Sequence, residues 1–332
     1  MKNLIHTFIF LTLFCFLFLS GKILAQNSGY KLIGKIDIGG EGGWDYLSVE
    51  PMSNRLFVSH ATRVVVIDLN SNSISGEISD QHGVHGIAFV PDLNKGFITN
   101  GKDSSVTVFD LKSLKVITNI KLQKKNPDAI IYEPFSKRIF TFNNHSASTT
   151  AIDPEKDKII GTLKLDGDPE EAVSDLEGKV YVNLEDKSAI NVFDPVTLKV
   201  LNNWLIAPCE SPSGLAMDNK NKRLFTVGRN NLMAILDAKS GKVITTLPIG
   251  GHVDGCVFDP GTGLAFSSNG EGTLTVVKEE SPNVFKVLEN VLTQKGARTI
   301  ALDEKTHRIY TSANIDMKDS SQSFGVLILD RK

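Results

Sequence analysis

The sequence is poor in cysteine, has no excess of positive charge and carries only one long apolar run, and each shortage removes a class of protein. Three cysteines occur in 332 residues. Such a chain is not a small secreted scaffold stapled by disulfides, and a fold of this length closes its own core. It has no Cys-x-x-Cys-His haem attachment sequence. Lys and Arg number 36 against 38 Asp and Glu, a formal net charge of −2. Nucleic-acid binding calls for a basic face or tail that this balance does not supply. A phosphate-binding glycine loop, a dinucleotide fingerprint and a Gly-x-Ser-x-Gly elbow are all missing, so nothing points to nucleotide chemistry or to a serine nucleophile. No stretch repeats with a helical period.

The one apolar run is N-terminal. Lys2 supplies positive charge, Ile5 to Leu19 is almost unbroken apolar sequence, and Ile23-Leu24-Ala25 ends on a small residue suited to cleavage. That is the pattern of a secretory signal. It falls short of the roughly 20 apolar residues of a comfortable membrane helix. A signal peptide over 1–25 and a single domain over 26–332 are expected, in an exported protein, periplasmic or secreted, without a membrane span. Bulky Phe14 before Cys15 argues against lipid attachment. Cleavage removes Lys2 and Lys22 but no acid, which takes the net charge from −2 to −4. Cys209 and Cys256 remain, in different repeats, and are expected to be free.

What the chain does have is a repeat. Segments opening near Trp44, Val84, Pro127, Pro169, Pro212, Val253 and Ala297 align, each beginning with a short apolar strand such as VHGIAFV or PSGLAMD. A polar turn, a second strand (RLFVSH, KGFITN, KRIFTFN) and a third strand ending on aspartate (VVVIDL, VTVFDL, INVFDP) follow. The closing aspartates are Asp68, Asp110, Asp153, Asp194 and Asp237. A period of about 40 residues with four short strands is the size of a propeller blade. The chain ends just after a third strand, while KLIGKIDI at residues 31–38 resembles the fourth strands KIIGTLKL and KVITTLPI. The expected fold is therefore all-β: a seven-bladed β-propeller of four-stranded antiparallel blades, its ring closed by the N-terminal strand. An open ring would leave bare sheet edges. Residues 314–323, NIDMKDSSQS, are expected to interrupt the last blade between its second and third strands.

FITN at 97–100, VYVN at 180–183 and the recurring D-x-x-[ST]-x-K-V-[IL] boundary resemble the YncE-like group of exported bacterial proteins with YVTN propeller repeats. The resemblance spans nearly all of the mature chain and implies the propeller fold and export. It also implies single-stranded DNA as a ligand, which the acidic balance argues against.

In a propeller the first strands line the central channel, and the second-strand ends emerge on the face where those strands begin. Two rings of side chains should meet at one mouth. The first is Asp45, His85, Asp128, Glu170, Ser213, Asp254 and Arg298; the second includes His60, Asn100, Asn143, Asn183, Gly228 and Asn269. Crowded carboxylates repel one another, and a cation or cationic ligand would relieve them. Oxygen-rich sites suit Ca²⁺, Mg²⁺ or Mn²⁺. Glu170, Asn183, Asp254 and Asn269 are the expected metal ligands, and Asp45, His85, Asp128, Arg298, Asn100 and Asn143 the expected ligand-binding groups. Two blander explanations stand beside these: acids solvated round a wet channel or paired with Arg298, and asparagines repeated as turn residues. The chain reads as a monomeric binding protein for a small molecule, a metal ion or an envelope partner. The alternative is a metal-dependent lactonase or lyase with His85 as general base.

Overall fold

Apolar strands alternate with short turns along the whole chain, and local antiparallel pairing follows. Several turns are held by a non-glycine residue with left-handed backbone, among them Asn54, Asn72, Asn94 and Asn231, a conformation that asparagine tolerates well. The closing aspartates cap the next turn. Asp153 accepts the amides of Glu155 and Lys156, and Asp194 those of Val196 and Thr197, at 2.8–3.1 Å. Asp68 and Asp237 do the same. The period read from these residues is a period of turn chemistry.

A computed structural model describes residues 27–316 and 322–331; the segment read as a signal peptide lies outside them. Twenty-eight strands, β1 to β28 in chain order, form seven four-stranded antiparallel sheets arranged as a β-propeller. The first blade is β2 (Trp44–Glu50), β3 (Arg55–His60), β4 (Arg63–Asp68) and β5 (Ser73–Ile78). The innermost strands of the next five are β6 (Val84–Val90), β10 (Pro127–Glu133), β14 (Pro169–Ser174), β18 (Pro212–Asp218) and β22 (Val253–Asp259). The seventh blade holds β26 (Ala301–Asp303), β27 (Arg308–Asp316) and β28 (Gln322–Arg331), and is completed by β1 (Tyr30–Asp37). β1 pairs antiparallel with β28, from Tyr30 opposite Arg331 to Asp37 opposite Gly325. Innermost strands touch their neighbours all round, β26 against β2 included.

One aromatic per blade anchors the packing. Phe57, Phe97, Phe140, Tyr181, Phe225, Phe266 and Tyr310 hold the same register in the second strands and are all 0–1% exposed. Burial of an aromatic ring between neighbouring blades is worth several kcal/mol, on the scale of about 3–5 for truncation to alanine. Close approach of the inner strands needs glycine: a Cβ on Gly214 would lie 2.5 Å from the Cys256 nitrogen. Cys209 and Cys256 are both buried and free.

Two expectations are corrected in the last blade. Its first strand does not start near Ala297 but is confined to Ala301–Asp303, because the Arg298 carbonyl is bonded to the neighbouring blade through the Gly255 amide at 3.2 Å. Nor does the whole of 314–323 form an interruption: β27 and β28 extend into it as a hairpin, with Asp316 opposite Gln322. Only 317–321 of that segment lie outside the described residues.

Candidate functional site at the channel mouth

Six of the seven innermost strands begin with a break in register. Pairing jumps from Trp44 to Leu47, from Val84 to Ile87, from Pro127 to Ile130, from Pro169 to Ala172, from Pro212 to Leu215 and from Val253 to Gly255. The skipped residues include Asp45, His85, Asp128, Glu170, Ser213 and Asp254. A bulge re-aims side chains out of the alternating pleat. Here it turns them into a cavity of about 950 Å³ that Arg298, from the seventh blade, also lines. The first ring of residues is thus brought together.

Within it, three consecutive blades supply a tight cluster. His85 Nδ1 stands 2.6 Å from Asp45 Oδ2 and 3.4 Å from Asp128 Oδ1. One ligand atom from each of the three side chains lies within 4.8 Å of the others. Further round, Glu170 accepts the Asn144 side-chain amide at 2.9 Å. Asp254 is 3.8 Å from Arg298 Nε, and Arg229 reaches Glu185 at 2.8 Å.

The electrostatics follow from this crowding. Burial, reinforced by the neighbouring Asp45 charge, pushes Asp128 up to about 7. Burial, the Asp128 charge and a hydrogen bond with Glu185 raise Glu170 to about 9. Glu171 rises to about 8 and Asp254 to about 6, again chiefly through burial, with Arg298 opposing the shift at Asp254. At His85 burial works against the charged ring, but the Asp45 hydrogen bond and the Asp128 and Asp45 charges outweigh it, and its pKa rises. The mouth holds more negative charge than its own cations neutralise, and protons are taken up in compensation.

The second ring is not where it was expected. Asn100, Asn143 and Asn269 are at most 1% exposed and face strands of their own blades. Asn143 donates to Thr150 and Ser148 at 3.0 and 3.3 Å, Asn269 to Thr273 and Thr275 at 3.0 and 2.9 Å, and Asn100 to Thr107 at 2.9 Å. None lines the cavity. Asn183 sits one residue out of register: Leu184, opposite Pro169, takes the place that Asn143 holds opposite Pro127. A one-residue slip turns a strand side chain to the other face. The expected ligand set of Glu170, Asn183, Asp254 and Asn269 is therefore not assembled, and Asp45, His85 and Asp128 form the cluster instead.

Asn183 marks a different device. Its amide donates to the carbonyls of Ser213 and Gly214 at 3.1 and 3.0 Å. At the same register in other blades, Thr99 Oγ1 donates to the Asp128 carbonyl at 2.5 Å, Ser59 to that of His85 and Ser268 to that of Arg298. A polar side chain from one blade thus fixes the backbone of the mouth residue on the next. Arg229 lines the cavity although the sequence did not single it out, and so do Tyr46 and Glu171. The latter two share the bulge with Asp45 and Glu170, at a place where other blades carry Gly86, Ala129, Gly214 and Gly255. That contrast in size was the available signal.

Comparison with known protein families gives no match, and comparison with curated protein sequences gives none either. Among the described residues no helix is long and apolar enough to cross a membrane.

Proposed function

We propose that the protein is an exported binding propeller, of the YVTN-repeat kind, whose channel mouth takes a divalent cation. The observation that carries this reading is the Asp45–His85–Asp128 cluster, with its three ligand atoms within 4.8 Å of one another. The 3.4 Å between His85 Nδ1 and Asp128 Oδ1 suits two ligands on one small ion, each about 2.1 Å from it. The proton shared in the 2.6 Å contact between His85 Nδ1 and Asp45 would leave to solvent as the ion enters, which frees both atoms to ligate it. An imidazole beside two carboxylates shifts the preference from Ca²⁺ and Mg²⁺ towards Mn²⁺ or Zn²⁺. The surplus of acids round the cluster favours any cation, and a bound ion would replace the protons those acids hold.

Metal analysis of the purified mature protein, followed by calorimetric titration with Mn²⁺, Zn²⁺ and Ca²⁺, tests the reading. One ion per chain is expected, and it should be lost in Asp45→Asn and Asp128→Asn. Wild-type protein that binds none of these ions overturns it.

The Asp45–His85 pair also favours a second reading. A histidine oriented by a carboxylate is the arrangement of a general base, which would make the site hydrolytic. Turnover of a panel of lactones that disappears in His85→Gln supports that version. Absence of turnover, with the metal loaded and with it removed, takes this reading away.

A further inference from the structure

The cation reading accounts for blades one to three and leaves the arc of blades five to seven unexplained. There Arg229 and Arg298 line the same cavity from either side of Asp254. Arg298 is 52% exposed, and its one charged neighbour, Asp254, is 3.8 Å away, beyond hydrogen-bond reach. Among the described residues nothing else engages its guanidinium. Arg229 gives a single edge to Glu185 at 2.8 Å and is 60% exposed. Two forks with donors to spare thus face a mouth otherwise rich in acids. A guanidinium fork presents paired N–H groups matched to a planar oxyanion. A bare cation has no use for them and is repelled by them.

We infer that the mouth takes its cation together with a small carboxylate ligand that chelates the ion at one end and meets Arg298 and Arg229 at the other. This inference rests on the cation site at Asp45, His85 and Asp128. A bound ion with three protein ligands keeps coordination positions open, and a hydroxycarboxylate or dicarboxylate fills them with oxygen donors. The cavity, about 950 Å³, lies at the upper end of the range for small-molecule sites and leaves room for such a ligand beyond the ion. A carboxylate fits better than a phosphate. Glu170 and Asp254 stand on the same rim, and repulsion from them grows with the charge of the group that meets the arginines, which is one on a carboxylate and between one and two on a phosphate.

The test uses L-malate as the carboxylate probe, with citrate and tartrate beside it, titrated calorimetrically into mature protein with and without saturating Mn²⁺. Malate or one of the other two should bind the Mn²⁺-loaded protein and fail to bind the metal-free one. Arg298→Gln should weaken that binding tenfold or more and Arg229→Gln several-fold. Both variants should hold Mn²⁺ as tightly as wild type or slightly more tightly, since a repelling charge has gone. Asp45→Asn should lose both ligands. The inference is overturned, with the cation site intact, if Mn²⁺ binds but none of the three carboxylates does. It is equally overturned if the Arg229→Gln/Arg298→Gln double variant binds them unchanged, or if inorganic phosphate binds more tightly than all three. Failure of Mn²⁺ itself to bind removes the cation site and this inference with it.

Discussion

Asp45 and His85 stand on adjacent blades, 40 residues apart in the chain, and meet at 2.6 Å through a bulge in each strand. Asp128 on the third blade faces the same ring nitrogen at 3.4 Å. The contact lies in an acidic neighbourhood, with Glu170, Glu171 and Asp254 lining the same cavity.

Its pH dependence has a definite sign. Asp128, Glu170, Glu171 and Asp254 have folded pKa values raised to about 7, 9, 8 and 6, and that of His85 is raised as well. Groups with a raised folded pKa bind more protons in the native state, so stability falls as pH rises. For the acids the loss begins above their unfolded values near 4 and is complete once the pH passes the folded ones. The metal-free protein should melt at progressively lower temperature from pH 5 to pH 9. Saturating Mn²⁺ should flatten that slope by taking the place of the protons. A metal-free melting temperature that climbs over this range contradicts the electrostatic account.

Replacing one acid separates charge relief from ligation. Asp128→Asn should stabilise the metal-free protein above pH 7 by on the order of 1 kcal/mol, because a crowded charge is removed. The same variant should lose stabilisation by Mn²⁺. Urea unfolding at pH 8, with and without the ion, gives both quantities.

Asn143 should behave in the opposite way. Its amide is fully buried and bonded to Thr150, Ser148 and Thr141. Asn143→Ala should cost about 1–3 kcal/mol through unpaired partners, while Mn²⁺ affinity stays within twofold of wild type. A large loss of affinity in this variant would restore the second ring to the site.

Thr99 is a positioning residue. Its hydroxyl accepts from the Gly86 amide at 2.8 Å and donates to the Asp128 carbonyl, joining the second blade to the third. Thr99→Val keeps the volume and removes both bonds, for an expected loss of about 1–3 kcal/mol and a several-fold weaker ion. Thr99→Ser should recover most of the affinity, a rescue that a purely packing role would not give.

The thiols should be inert in the folded protein. Burial raises Cys209 to about 11, and Cys256 is raised further for the same reason. Neither should react with a disulfide reagent at pH 8 until guanidinium unfolds the chain, when both should.

The sequence by itself determined the ring. Its aspartates recur because each caps the same turn, so the blade period was written in local chemistry. The orphan strand at residues 31–38 matched the fourth strands because it does their work beside β28. The first ring of mouth residues was also legible, since it follows from counting along aligned first strands. The second ring was not. Asn143 and Asn269 look alike whether they line a channel or bond inside a blade, and only the direction of the side chain tells the two apart. Asn183 shows how fine that decision is: one residue of register moves it from the place of Asn143 to that of Thr99. The bulges were equally hidden, because a skipped pair leaves no mark on an apolar strand. Tertiary structure alone brought Asp45, His85 and Asp128 to one point and set Arg229 and Arg298 on the wall of the same cavity. The physical reason is that register and inter-blade packing, rather than local propensity, decide where a strand's side chains point.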